Sequence, residues 1–103
     1  MLSPDRKRNF RAIGHNLKPV VTIADNNITD GIVGETLRAL NDHELIKVKC
    51  AIGDREARQI AITKLCGLSK AELIQAIGKV ALIYKAAKNP SPKLSNILRQ
   101  QSG

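Results

Sequence analysis

Residues 15–49 constrain the fold of this chain more than any other stretch, because a strand, a tight polar loop, a helix and a second strand follow one another there with almost no spacer. The first strand, at residues 18–23, is mostly β-branched. The second, at residues 45–51, alternates apolar side chains with Lys47 and Lys49, which predicts one buried face and one basic, solvated face. This succession predicts a βαβ unit with parallel strands.

One helix is predicted before this unit and another within it. The Ser-Pro-Asp sequence at residues 3–5 favours a helix start, and Gly14 favours the end of that helix. Thr29 or Asn27 can cap the second helix, which is expected to run to about Asp42. Both helices carry an apolar stripe at spacings of three and four residues, which is typical of helices with one buried face.

A third helix and a hairpin complete the predicted order. The helix is expected to run from Asp54 to Gly67. Residues 72–77 and 80–85 are predicted strands, and Gly78 between them suits the first central position of a type II′ turn. The chain is therefore predicted to be an α/β domain, an N-terminal helix followed by βαβαββ, with three mutually parallel strands and a last antiparallel one.

This order also predicts which side chains face the helices. If helices two and three cover one face of the sheet, the apolar strand residues should point toward them. Those strand residues are Val21, Ile23, Ile46, Val48, Leu82 and Tyr84. Helix three would add Ala57, Ile60, Ala61 and Leu65. The opposite face, a predicted basic sheet surface, would carry Lys18, Thr22, Lys47, Lys49, Gln75 and Lys85.

The charge balance points to a polyanionic partner. The chain has 103 residues, which fits one small domain, and a net charge of +8. Lysine and arginine displace the counterions condensed on phosphates, so this charge favours a nucleic acid over a generally basic, soluble surface. The charge is also segregated, because residues 20–45 contain five carboxylates and one arginine. One side of the molecule is expected to be acidic and another strongly basic.

No cofactor and no metal are expected. Cys50 and Cys66 are isolated thiols, for which burial is expected rather than zinc ligation or redox chemistry. His15 and His43 are far apart, and His43, at a helix-to-strand junction, is expected to cap backbone carbonyls. Residues 1–5 lack the basic and apolar regions of a signal peptide, so a cytoplasmic protein without membrane contact is expected. We also expect a monomer.

The C-terminal region is predicted to differ from the rest. Residues 1–86 form the predicted domain. Residues 87–103 contain Pro90 and Pro92, scattered basic residues and little apolar periodicity. This composition predicts a mobile basic tail, with room for a short helix at residues 94–98.

Five short motifs resemble one known family. They are HNLKPVV at residues 15–21, ITDG at 28–31, AL at 39–40, HELIKVK at 43–49 and IGK at 77–79. Over about residues 4–85 the chain resembles the YhbY-like proteins, the bacterial single-domain members of the CRM (chloroplast RNA splicing and ribosome maturation) domain family. HELIKVK is the most specific of these motifs.

The resemblance implies both a fold and a function. The implied fold is similar to the C-terminal domain of translation initiation factor three, a mixed four-stranded sheet in the order 1-2-4-3 with an antiparallel last strand. The implied function is RNA binding, in association with precursors of the large ribosomal subunit whose assembly the protein would assist. Members of the family are not enzymes.

One loop departs from the family pattern. Between the first strand and the following helix the family carries GxxG with a basic residue inside, which lets backbone N–H groups approach phosphate. Here Ala24 and Asn27 replace the two glycines, and Asp25 stands where a cation would help. Either the loop still contacts RNA through its backbone amides and Asn26, or binding has moved to the basic residues elsewhere. The second interpretation is favoured because a carboxylate repels phosphate.

The predicted RNA-binding residues are therefore mainly cations. They are Lys7, Arg8, Arg11, Lys18, Asn26, Lys47, Lys49, Lys79 and Lys85. The chain has only two aromatic residues, Phe10 and Tyr84, which argues against a platform for stacked single strands. Structured RNA contacted through its phosphates is the expected ligand.

Three other functions are possible for a chain of this composition. No nucleophile with its base, P-loop or GxGxxG motif occurs, which argues against an enzyme. Glu35, Asp42 and Glu44 are close in sequence and are expected to lie on a solvated helix face. That acidic helix could instead dock on a basic ribosomal protein, so a protein-interaction module remains a competing function. A general basic nucleic-acid-binding protein, including a DNA-binding one, is the third.

Overall fold

A computed structural model describes residues 2–25 and 27–101. The four helices of this part are α1 (Pro4–Gly14), α2 (Asp30–His43), α3 (Arg55–Ser69) and α4 (Asn96–Gln101). The four strands are β1 (Pro19–Ile23), β2 (Leu45–Cys50), β3 (Glu72–Ile77) and β4 (Val80–Tyr84). They form one sheet in the order β1-β2-β4-β3, in which β1 and β2 are parallel and β4 is antiparallel to both neighbours. The predicted fold class and strand order are confirmed.

Side-chain caps begin the three long helices. Ser3 Oγ accepts a hydrogen bond from the Arg6 amide at 3.2 Å, and Thr29 Oγ1 accepts one from the Ile32 amide at 3.1 Å. Asp54 Oδ2 accepts from the Ala57 amide at 2.8 Å. These bonds satisfy amides that have no partner inside a helix. Of the two caps proposed for α2, the structure uses Thr29.

Helix α3 differs from its prediction in length and in which side it buries. It continues past Gly67 to Ser69, and the C-cap residue Lys70 adopts a left-handed conformation with φ of 56°. The extension adds Ser69 to the buried side, where its hydroxyl donates to the Leu65 carbonyl at 2.6 Å. Ile60, predicted in the core, is 66% exposed, and Ile62 is buried in its place. The predicted stripe was placed a fraction of a turn away from the true buried face.

Helices α2 and α3 cover one face of the sheet, as predicted. Val21, Ile23, Ile46 and Val48 are buried beneath them. Ala81 and Ile83 supply the β4 side of this core. Cys50 and Cys66 are buried free thiols, as expected, and burial raises the pKa of Cys66 to about 11. Both thiols are shielded from solvent in the core.

The prediction was wrong for Leu82 and Tyr84, which lie on the other face of the sheet. They pair across the strands with Lys47 and Leu45 and pack with Phe10 of α1. The β4 sequence VALIY is apolar at every position, so it has no alternation from which the two faces could be told apart. Strand β4 is central and is buried on both faces. Helix α1 therefore covers part of the face that was predicted to be open.

Helix α1 lies unusually close to the sheet at Gly14. A Cβ atom at this position would lie 2.5 Å from Cδ2 of Leu82, a buried side chain. Phe10 packs beside Leu82, and the ring centroids of Phe10 and Tyr84 are 4.7 Å apart. The Cζ atom of Arg6 lies 5.3 Å from the Phe10 ring centroid. A glycine is needed here for close approach rather than for backbone freedom.

We expect Gly14→Ala to lower the free energy of unfolding by about 1–3 kcal/mol, since the added methyl group overpacks against Leu82. Urea-induced unfolding measures this change. Gly67→Ala is the matched control, because no atom outside its own helix neighbourhood lies within 4 Å of the added Cβ. It should be neutral or stabilising by up to about 1 kcal/mol. Equal effects of the two substitutions would contradict the close packing of α1.

The C-terminal segment is docked, in contrast to the mobile tail that its composition predicted. Glu44, expected on a solvated face, is 6% exposed and holds this segment through both carboxylate oxygens. Oε1 accepts from the Ser95 hydroxyl at 2.7 Å, and Oε2 accepts from the Ala87 amide at 2.9 Å. Composition could not reveal this docking because the partner carboxylate lies some fifty residues away in sequence.

Further contacts extend the docking to α4. The Nδ1 atom of His43 lies 2.9 Å from the Leu94 carbonyl, so the prediction that His43 caps a carbonyl is confirmed. Asn96 Nδ2 donates to the Leu45 carbonyl at 2.7 Å, and Ile97 is buried in the α1 core cluster. Apolar burial and hydrogen bonds thus act together to order residues 87–101.

Ser95→Ala should release this segment. The substitution removes the hydroxyl that donates to Glu44 and that accepts from the Ile97 and Leu98 amides. We expect the free energy of docking of the segment to fall by about 2 kcal/mol. Hydrogen exchange of the amides of residues 87–101 should become faster. The control is Ser91→Ala, which keeps the backbone carbonyl that accepts from Ser95. Unchanged exchange in Ser95→Ala would show that Glu44 does not anchor the segment.

Candidate nucleic-acid interface

Strand β2 supplies two cations to the sheet face beside α1. Lys47 is the cross-strand partner of Leu82, and Lys49 is that of Val80, so both lysines lie on the α1 face. Ile46, Val48 and Cys50 point the other way, into the core under α2 and α3. The strict alternation of this strand therefore fixes the position of both lysines, as the sequence predicted.

The β3–β4 hairpin adds a third cation at the end of the same face. Gly78 has a φ of 56°, which suits glycine in a tight hairpin turn. The next residue, Lys79, is exposed, and its carbonyl accepts from the Cys50 amide at 2.7 Å. This backbone bond fixes the hairpin beside the end of β2, next to Lys49.

Helix α1 supplies the fourth cation. Arg11 is half-buried and borders the same pocket as Lys47. Lys7 precedes Arg11 by one helical turn and is also half-buried, while Arg8 is exposed. We define the basic face as Arg11, Lys47, Lys49 and Lys79. Within the described part of the chain, no hydrogen bond or ion pair engages the side chains of these four residues.

Five predicted binding residues are not part of this group: Lys7 and Arg8, which lie on α1, and Lys18, Lys85 and Asn26. Lys18 borders a separate depression with His43 and Asn96, at the docked C-terminal segment. Lys85 follows β4 at the opposite end of the sheet, beside the C-terminal half of α2. Asn26 lies outside the described residues. The predicted basic sheet surface is therefore smaller than the sequence suggested, because α1 covers the half of the face nearest Lys85.

Side-chain oxygens of the loop after β1 accept hydrogen bonds from two amides, one in the loop and one at the start of α2. Asp25 Oδ1 accepts from the Asn27 amide at 2.8 Å, and the Thr29 hydroxyl caps the start of α2. These are the donors that a phosphate-binding loop would present to its anion. Asp25 and Asp30 also place two carboxylates at this helix start. The local geometry disfavours phosphate here and agrees with the interpretation that binding lies elsewhere.

A pocket of about 290 Å³ lies between α1 and the open half of the sheet. Nine residues line it: Arg11, Gly14, His15, Pro19, Lys47, Gln75, Ile77, Val80 and Leu82. Sequence analysis placed Gln75 and Lys47 on this face but gave no signal for the pocket. Its formation depends on the approach of α1 to Leu82, for which Gly14 was the only sequence clue, and that glycine was interpreted as a helix end.

The described residues contain neither a metal-ligand cluster nor a membrane-spanning helix. No group of three or more His, Cys, Asp or Glu side chains in residues 2–25 and 27–101 could hold a metal ion. Over the same ranges, no helix combines the length and apolar character needed to cross a bilayer.

Comparison with known proteins places this geometry in context. The model of the CRS1 / YhbY (CRM) domain matches residues 2–85. A probable RNA-binding protein of Pseudomonas aeruginosa is 48% identical over 98 residues, covering 95% of this chain and 94% of the relative. An RNA-binding protein of Haemophilus influenzae is 38% identical over 93 residues, covering 90% of this chain and 94% of the relative.

A solved structure has the same fold. The solution structure of a hypothetical Staphylococcus aureus protein that was proposed to bind RNA aligns with a TM-score of 0.75 at 28% identity. The alignment covers 86% of this chain and 93% of that protein.

Proposed function

The chain belongs to the CRS1 / YhbY (CRM) domain family, and we propose that it is a cytoplasmic protein that binds structured RNA through the basic face and assists assembly of the large ribosomal subunit. The observation that carries this proposal is the group of four cations, Arg11, Lys47, Lys49 and Lys79, with no bonded partner in the described part of the chain. Relatives at 48% and 38% identity, which carry RNA binding in their names, support the same ligand.

Electrostatics favour phosphate as the group that this face contacts. Cations that share one surface can release the counterions of a bound phosphate when no carboxylate pairs with them, and none does so among residues 2–25 and 27–101. The acidic helix α2 lies on the other side of the sheet, so its charge is separated from the basic face by the core. Such a charge distribution orients the protein on a polyanion, with α2 turned away.

The role of the protein would be to hold a folded RNA rather than to transform it. The relatives in Pseudomonas aeruginosa and Haemophilus influenzae are named for RNA binding. A rigid α/β domain with a fixed group of cations can hold two RNA segments at a defined separation while the particle around them matures. Binding through phosphates also allows release as the RNA rearranges.

Lys47→Glu/Lys49→Glu should weaken binding to an rRNA fragment on the order of tenfold or more and lower the slope of log affinity against log salt by about 2. The control Lys64→Glu/Lys88→Glu changes net charge equally with two exposed lysines outside the basic face. It should have a much smaller effect. Filter binding over a salt series measures both quantities.

The loop provides the opposing test. Asp25→Lys should strengthen binding by less than about fivefold, since a carboxylate about 4 Å from a phosphate costs about 1 kcal/mol in water. A large gain from Asp25→Lys, together with little loss from Lys47→Glu/Lys49→Glu, would move the RNA contact back to the loop and overturn the assignment of the basic face.

Association with precursor particles is tested by sedimentation. Cell extract separated on a gradient at low salt should place the protein in the large-subunit and precursor fractions, and high salt should release it because phosphate contacts are screened. Absence from those fractions at low salt would remove the assembly role. If the protein still bound naked rRNA in that case, the proposal of RNA binding would stand and only the assembly role would be lost.

A protein contact through α2 is a second candidate role, favoured by the exposed Glu35 and the partly exposed Leu37 on its outer side. A basic ribosomal protein would match this acidic surface. Glu35→Lys should then weaken retention on the assembled particle without changing affinity for naked RNA. An equal effect on both would exclude a separate protein contact.

A further inference from the structure

The pocket between α1 and the sheet combines an apolar floor with a basic margin. Leu82 and Gly14 close its floor and are buried, whereas Ile77 at its mouth is 67% exposed. Lys47 and Arg11 lie on its wall. Exposed apolar area in a concave site is typical of surfaces that bind a ligand. None of the nine lining residues is acidic, so the pocket suits an apolar group attached to an anion.

A β-bulge brings a hydrogen-bonding amide into this pocket. The register of β3 against β4 shifts between Leu73 and Gln75, so that Gln75 rather than Ile74 lies opposite Leu82. Bulges commonly redirect a side chain in this way at functional positions. The Gln75 amide offers one acceptor and two donors, the combination that pairs with the edge of a nucleobase.

Two planar side chains complete the lining. His15 and Arg11, whose side chains end in a planar imidazole and a planar guanidinium, both border the pocket. Unpaired bases in RNA are commonly held by stacking on such planar groups and by hydrogen bonds to their exposed edges. The pocket thus combines an apolar base, two planar side chains suited to stacking and one amide suited to hydrogen bonding with a nucleobase.

We propose that this pocket receives the base of a single unpaired nucleotide, while the flanking phosphates contact Lys47, Lys49 and Lys79. This inference rests on the proposed RNA-binding function and adds a base-specific element to it. Only one base fits, because α1 covers the neighbouring half of the sheet and prevents a longer stacked run. The protein would therefore recognise a bulge or a flipped base beside a helix, in preference to a continuous duplex.

A nucleotide matches the pocket better than a protein side chain does. An apolar side chain would fill the floor but leave the Gln75 amide and the surrounding cations without partners. An acidic side chain would satisfy the cations but not the apolar floor. A base joined to its phosphates satisfies the floor, the amide and the charge together.

The test uses three kinds of hairpin RNA with stems of equal length. The first is fully paired, the second has one bulged nucleotide, and the third has the same bulged backbone without its base. All four bases are tried in the bulge. We expect at least one bulged hairpin to bind the full-length wild-type protein about tenfold more tightly than its abasic counterpart. The abasic hairpin controls for charge and for backbone flexibility.

Gln75→Leu and His15→Ala should each remove most of this preference while leaving affinity for the abasic hairpin unchanged. Gln59→Leu is the matched control, because Gln59 is exposed on α3, behind the opposite face of the sheet. Circular dichroism and urea unfolding of each variant verify that it folds. Two independent pocket variants keep the test informative if one of them is unstable.

The outcomes separate the two proposals. Equal affinity for bulged and abasic hairpins, with both affinities lost in Lys47→Glu/Lys49→Glu, would overturn the nucleotide pocket. The proposal of RNA binding would stand, and a protein side chain would become the expected occupant of the pocket. Failure of the wild-type protein to bind any of the three RNAs would overturn the proposed function and the pocket with it. A preference that survives Gln75→Leu and His15→Ala would place base recognition elsewhere and also overturn the assignment.

Discussion

The close packing of α1 on the sheet at Gly14 and Leu82 is the constraint on which the rest of this structure depends. It makes β4 a strand buried on both faces, with one core under α2 and α3 and a second under α1. It also divides the second sheet face into a covered half and an open half. The open half carries Lys47 and Lys49, and its boundary with α1 forms the pocket. The same helix therefore stabilises the fold and shapes the candidate interface.

Glu44 has a comparable role at the opposite end of the sheet. It joins α2 to β2 with a φ of 62°, an uncommon conformation for a residue other than glycine, and its carboxylate is buried. Burial of a carboxylate is unfavourable unless hydrogen bonds satisfy it, and Ser95 and Ala87 provide those bonds. The second residue of the HELIKVK motif is thus an anchor for residues 87–101. The lysines of the same motif lie on the basic face, so one short sequence serves both stability and binding.

Sequence periodicity predicted the parts of the fold that depend on local patterns. The caps of α1 and α2, the alternation of β2 and the order of elements all follow from spacing and residue type. The strand order came from the family resemblance and is confirmed. Three features depended on long-range packing and could not be read locally: the face of β4, the buried side of α3 and the docked C-terminal segment. For the candidate site, Lys47, Lys49 and Lys79 were predicted on one sheet surface, and the structure places them at the α1 face. Arg11 was predicted only as a cation of the first helix, and its position beside Lys47 depends on how α1 packs. Lys85 was predicted on the same surface, but the end of β4 at which it lies and the extent of α1 place it elsewhere.

The central claim is that RNA lies against the α1 side of the sheet and not against the loop after β1. Ultraviolet cross-linking of the protein to RNA in isolated precursor particles, with cross-linked peptides mapped by mass spectrometry, tests it most directly. We expect cross-links within residues 7–15, 47–49 and 75–80. Cross-links confined to residues 24–31 and the outer side of α2 would contradict it.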